Sequence, residues 1–166
     1  MIKKISSLLI LLSFLGSSYS LDVEFESNKT SFDSKKEILL LEGDVSLKYE
    51  NLIFKADKVE FDKKNDLFTS KKLTFSSFDN YLYGSANEVE ILKKNVILKK
   101  VEFSSCPCSN KIWWIESKEL NFKNGEDFIS AKNSKLIVQG RTLAFINKAN
   151  FPINYERKTG ILLPEV

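Results

Sequence analysis

Ala56-Asp57-Lys58-Val59-Glu60-Phe61, Ala86-Asn87-Glu88-Val89-Glu90-Ile91 and Ser117-Lys118-Glu119-Leu120-Asn121-Phe122 are three versions of one hexapeptide. Phe61 and Ile91 lie 30 residues apart, and Ile91 and Phe122 lie 31 apart. Thr30-Ser31-Phe32-Asp33 reads as a degenerate earlier copy. A period of this length marks a stacked, quasi-linear structure, because each unit buries its apolar face only against its neighbours.

Outward from the hexapeptide, residues alternate in strand fashion. Val45, Leu47 and Tyr49 share one face, and Ser46 and Lys48 the other; Leu52, Phe54 and Ala56 continue the pattern, followed by Val59 and Phe61. Leu73 with Phe75, Val101 with Phe103, and Leu136 with Val138 do the same. Period-two alternation predicts half-buried strands. Turn residues give a half-period: Asn51, Asn65, Asn80, Asn95, Asn110, Asn124-Gly125 and Gly140. Asn and Gly accept the left-handed backbone of tight turns, so these positions are expected in or beside turns.

The segments between the turns are about twice the usual strand length of 5–6 residues. Most hold small residues near the middle: Gly43, Ala56, Gly84-Ser85-Ala86 and Ser117. Small residues let a strand bend. The expected fold is therefore all-β: an antiparallel meander folded along its length, with two facing sheets and apolar residues inside. Phe54, Phe61, Phe75, Phe103, Phe122 and Trp113 are candidates for the inner lining. Periodicity alone leaves open whether they close into a dry core or line a groove.

The N-terminus has its own pattern. Lys3 and Lys4 precede an apolar run from Ile5 to Leu15, and Ser18-Tyr19-Ser20 supplies small residues for cleavage. This is the layout of a secretory signal peptide, too short for a spanning helix of roughly 20 apolar residues. Removal of residues 1–20 leaves 146 residues, enough for one domain, and lowers the formal charge from +3 to +1. Lysines alternate with acids without a basic block, so no nucleic-acid footprint is expected. The chain has no histidine, which removes Ser-His and Cys-His catalysis and the commonest zinc ligand. With no nucleophile–base constellation, no enzyme, metal or cofactor is expected.

Two stretches carry a family resemblance. Leu41-Glu42-Gly43-Asp44-Val45, followed by Phe54-Lys55-Ala56-Asp57-Lys58-Val59-Glu60-Phe61, resembles the OstA-type repeat of the periplasmic lipopolysaccharide-transport proteins of the LptA, LptC and LptD families. Ser105-Cys106-Pro107-Cys108, then Trp113-Trp114, then Asn150-Phe151-Pro152-Ile153 and Glu156-Arg157-Lys158-Thr159-Gly160-Ile161-Leu162-Leu163-Pro164, resembles the junction of the LptD family. There a cysteine-containing turn, one more repeat and a Phe-Pro segment lead into an outer-membrane barrel; Phe151, Pro152, Arg157, Lys158, Gly160 and Pro164 match that motif. The resemblance covers about residues 25–166.

The resemblance implies a twisted β-jelly-roll over residues 21–150 and a junction to a missing barrel over 151–166. It implies a periplasmic or outer-membrane conduit for lipopolysaccharide, with acyl chains held between the sheets. The groove candidates are then Val45, Leu47, Phe54, Phe61, Phe75, Val89, Ile91, Phe103, Trp113, Leu120 and Phe122. The implied partners are lipopolysaccharide and an LptA-like bridge protein joined by edge-strand addition. An LptE-like lipoprotein is implied only if a barrel is supplied. Cys106 and Cys108 are the disulfide candidates; the family's inter-domain bridges use barrel cysteines that this sequence does not contain, so both also read as thiols awaiting a partner. Two other readings stand beside this one: a free-standing bridge protein of the LptA or LptC type, and a structural β-solenoid or adhesin stalk that packs shut.

Overall fold

The computed structural model describes residues 23–78, 82–93, 95–105, 111–123, 126 and 128–152, with Pro152 by its backbone alone. The expected signal peptide, Asn80, Asn110, Asn124, Cys106, Cys108, and Arg157, Lys158, Gly160 and Pro164 lie outside them. The ten strands are β1 (Val23–Glu26), β2 (Lys29–Asp33), β3 (Ile38–Tyr49), β4 (Leu52–Asp62), β5 (Leu67–Ser77), β6 (Tyr83–Leu92), β7 (Asn95–Ser104), β8 (Trp113–Lys123), β9 (Phe128–Val138) and β10 (Arg141–Pro152). From β3 onward each pairs antiparallel with the next, in a single ten-stranded sheet. β1 and β2 together form the first place in the order: β1 pairs the second half of β3 and β2 its first half.

The repeated hexapeptide is the line along which this sheet folds. In Ala56-Asp57-Lys58-Val59, Ala86-Asn87-Glu88-Val89 and Ser117-Lys118-Glu119-Leu120, the first and last residues face inward and the two polar residues between them face out. Strict alternation would put residues three apart on opposite faces. Each strand therefore changes phase at this point, and the sheet creases. On the intervening strands Ser70-Lys71-Lys72-Leu73, Leu98-Lys99-Lys100-Val101 and Ala131-Lys132-Asn133-Ser134 make the same crease, and Leu136 continues the inward phase.

The crease has a backbone signature on alternate strands. Asp44 (φ 46°), Lys72 (φ 54°), Lys100 (φ 52°) and Asn133 (φ 50°) are left-handed in mid-strand. In β3, Gly43 (φ 76°) precedes Asp44 and the register slips by one residue between Glu42 and Val45. The break between β1 and β2 closes onto this bulge, with the Asn28 N–H donating to the Gly43 carbonyl at 3.0 Å. Small residues were expected to make the bends. The structure places Gly43, Ala56, Ala86 and Ser117 at the crease, and Gly43 is left-handed as a bend residue can be, but the other left-handed positions are taken by exposed Asp, Lys and Asn side chains.

The described turns fall at the expected Asn and Gly positions, but most of their left-handed residues are other ones. Asn51 and Asn65 lie in turns and Asn95 follows one. The left-handed residues there are their neighbours Glu50, Asp66 and Lys93, and Glu37, Gln139 and Gly140 elsewhere. Asp62 organises its turn: its Oδ1 accepts from the N–H groups of Lys64 and Asn65 at 2.9 and 3.1 Å. Asp33 does the same for Lys35 and Lys36 at 2.9 and 3.2 Å. The turn after Thr30–Asp33 thus matches the turn after Phe61.

The two halves of the sheet face each other across one apolar interior. On the outer face the alternating charges form cross-strand pairs, such as Lys132 with Glu119 at 2.6 Å and Lys111 with Glu102 at 2.7 Å. Such exposed pairs contribute about 0–1 kcal/mol each, so burial inside carries the fold.

Two variants test this account. At Lys100 a glycine is expected to stabilise the protein by up to about 1 kcal/mol in denaturant titration, because it relieves the left-handed strain without disturbing an inward side chain. At Gly84 a Cβ would stand 2.5 Å from both the Phe75 ring and the Glu102 carbonyl oxygen. Gly84→Val is expected to destabilise by about 3 kcal/mol, the upper part of the overpacking range, in the same titration.

Candidate functional site

Four rows of inward side chains line the interior, two on each half. On the first half Phe61, Phe68, Ile91, Val96, Phe122 and Ile129 stand side by side on successive strands. Phe32 and Leu39 extend this row at one end and Phe151 at the other. On the second half Phe25, Leu47, Phe54, Phe75, Gly84, Phe103 and Ile115 form the corresponding row. Nearer the crease, Leu41, Val59, Leu98 and Leu120 are fully buried.

The sequence candidates converge here. Val45, Leu47, Phe54, Phe75, Val89, Ile91, Phe103, Leu120 and Phe122 are buried in the interior, and Phe61 and Trp113 pack against it half-buried. Phe61 and Phe122, equivalent in the repeat, lie on one wall. Phe151 of the junction motif sits edge-on to Phe103, with ring centroids 5.5 Å apart. Between the two ends these side chains fill the space between the half-sheets.

The halves are not in step. Phe75 of β5 meets Phe122 of β8 edge-on at 6.4 Å. Phe103 of β7 meets Phe151 of β10, and the Tyr49 hydroxyl at the end of β3 donates to the Lys93 carbonyl after β6 at 2.8 Å. In all three contacts the second half-sheet, at one strand, meets the first half-sheet three strands later. This shear follows from the handed twist that strands accumulate across a sheet.

A sheared sandwich has overhangs. At the N-terminal end β2 and the parts of β3 and β4 in the first half-sheet have no opposing half within the described residues. Phe32 is accordingly 54% exposed, Leu39 and Phe61 are half-buried, and Phe68 on β5, stacked on Phe61 at 4.2 Å, falls to 4%. Phe25, on the β1 edge, is 43% exposed. At the C-terminal end the parts of β8, β9 and β10 in the second half-sheet are uncovered, and burial declines from Phe103 through Ile115 to Leu136, reaching 36% exposure at Ile146. The interior is thus closed in its middle and opens onto apolar side chains at both free strand edges. Phe25 and Ile146 escaped the sequence reading. Phe32 stood in the degenerate copy of the repeat, and that was the available signal for it.

Among the described residues no cluster of His, Cys, Asp or Glu is arranged to hold a metal. Tyr49 is the notable ionisable group. Burial, with the neighbouring Glu50 adding to it, pushes its hydroxyl from 10.0 to about 12.

No protein-family model matches the chain. It is 27% identical to the LPS-assembly protein LptD of Acinetobacter baylyi over 84% of its own length, and 24% identical to LptD of Shewanella denitrificans over 83%. It spans 17% and 18% of those relatives. Among solved structures it resembles LptH, the LptA-homologous periplasmic component of the lipopolysaccharide transport device of Pseudomonas aeruginosa. The TM-score is 0.52 at 11% identity, covering 70% of this chain and 94% of that one.

Tyr49 supplies a pH test of the shear. A hydroxyl whose folded value is raised stabilises the fold below its unfolded value of 10.0, and this contribution is lost as pH rises toward about 12. The wild type is expected to lose its advantage over Tyr49→Phe across that window, read by denaturant midpoints at stepped pH. An advantage unchanged across the window would mean that the hydroxyl does not hold the two halves together. With this contact binding the two halves of a ten-stranded, creased sheet, the chain is LptD-like in sequence and LptA-like in fold.

Proposed function

We propose that this chain is the periplasmic lipid-conduit domain of an LptD-type translocon, matching the N-terminal part of such a protein, and that it holds the acyl chains of lipopolysaccharide between its two half-sheets. The observation that carries this reading is the apolar interior that continues into exposed inward-facing side chains at both sheet edges, Phe25 and Phe32 at one and Ile146 at the other. A packed stalk would gain nothing from leaving such surface in water, at about 25 cal/mol per Å². Holding a hydrocarbon chain requires apolar area and no catalytic group, which agrees with a non-enzymatic role.

The overhangs also favour an LptA-like bridge protein as partner. The second half of a preceding unit would cover Phe32, Leu39 and Phe61, while its edge strand pairs with the free N–H and C=O groups of β1 and β2. At this edge the exposed Phe25 and Phe32 continue the inward-facing rows, whereas the more exposed Phe145 of β10 lies beside the outward Lys135, so the bridge is assigned to this edge and not to β10. Export by a signal peptide over residues 1–20, delivery to the outer membrane, a junction role for residues 151–166, and an LptE-like partner where a barrel is supplied belong to the same proposal.

Photo-crosslinkers at Phe32 and Phe61 are expected to capture lipopolysaccharide, and one at the outward Glu60 is not. Phe32→Asp should weaken capture at Phe61 by on the order of ten-fold while the fold survives, because position 32 is exposed at an edge and a charge there sets hydrocarbon against a hydrated group. Capture from Glu60 with none from Phe32 or Phe61 would eliminate the conduit.

A further inference from the structure

The crease row on the second half changes character along the sheet. Leu73, Ala86 and Val101 are followed by Ser117, Ser134 and Ile146, each beside the next on successive strands. The crease itself does not require a hydroxyl, since Ala56 and Ala86 occupy the position of Ser117 in the earlier repeats. Yet Ser117 is 4% exposed and Ser134 2%, and their hydroxyl oxygens lie 2.6 Å apart.

One O–H···O bond uses one of the two hydroxyl protons. Among the described residues neither hydroxyl has another partner, so one donor and several lone pairs stay uncommitted inside an apolar interior. Other buried serines are engaged with the backbone: Ser70 donates to the Lys58 carbonyl at 2.6 Å, and Ser104 to the Trp113 carbonyl at 3.0 Å. An unspent buried hydroxyl costs about 1–3 kcal/mol, which an Ala pair would avoid.

The pair also lies near an opening. Ser134 is one strand from the β10 edge, and its neighbour there is the partly exposed Ile146. A ligand in the C-terminal overhang would reach the hydroxyls by displacing that one side chain.

We propose that Ser117 and Ser134 form a hydrogen-bonding station for the carbonyl or hydroxyl group at the head of a bound lipid's acyl chain. This rests on the conduit reading and adds a selectivity to it. The unspent O–H donates to an acyl carbonyl, or the free lone pairs accept from a chain hydroxyl, so the interior grips acyl chains better than plain alkyl chains.

The test compares a long-chain glycerol monoester with the glycerol monoether of the same chain length, each displacing a fluorescent naphthylamine from the full protein. The wild type is expected to bind the ester on the order of five-fold more tightly, the size of one neutral hydrogen bond. Ser117→Ala combined with Ser134→Ala should keep the ether affinity and lose the preference, since removing both partners leaves no orphan. Should the double variant unfold, Ser134→Cys, similar in shape but a weak donor, should reduce the preference instead. Equal binding of ester and ether by the wild type, or a preference that survives in the variants, overturns the station while leaving the conduit standing. Failure of both ligands to bind overturns the conduit and the station with it.

Discussion

Everything in this protein hangs on the change of phase in the middle of each strand. A β-strand presents alternate residues to opposite faces, so a flat strand of eleven residues would keep one phase throughout. Here two outward polar residues follow one another at the same row of the sheet, Asp57-Lys58, Lys71-Lys72, Asn87-Glu88, Lys99-Lys100, Lys118-Glu119 and Lys132-Asn133. The phase change keeps both halves apolar on the concave side. Without it, one half would bury its lysines and expose its phenylalanines. Four left-handed non-glycine residues at the crease, among the described residues, are the strain that this geometry carries.

The sequence displayed the repeat, the strand faces and the inner lining because each is a property of short segments. Val45, Leu47, Phe54 and Phe122 could be assigned inward from alternation together with the family resemblance, and the paired polar residues inside each hexapeptide mark where the crease falls. Two things were hidden. The residues that turn left-handed were hidden because Lys72 and Lys100 carry no local preference for that conformation; their neighbours in the sheet impose it. The three-strand shear was hidden because it arises from twist summed over several strands, and no pair of nearby residues encodes it. The uncovered state of Phe25 and Ile146 follows from the shear and was hidden with it.

Filled middle and open ends give the interior two kinds of surface. Around Phe75, Phe103 and Phe122 it is a packed core that makes the domain stable. At Phe32 and Ile146 it is an apolar face without a lid. The proposed conduit would need both, since the core keeps each unit folded while the uncovered faces would meet those of the next. On that proposal the serine pair near the C-terminal opening would add a polar point to a path otherwise read by area alone.

The shear also sets a schedule for folding. Strand pairing in this meander joins chain neighbours, so it needs only short loops to close. The contacts that shut the two halves join residues 44, 47 and 48 apart in sequence. A chain delivered from its N-terminus can zip each hairpin onto the last as it arrives, yet Tyr49 waits for Lys93, Phe75 for Phe122 and Phe103 for Phe151. At every stage of delivery the latest strands lie open, with their apolar faces uncovered by about one and a half repeats. Transient exposure of this kind invites aggregation until the closing strands arrive.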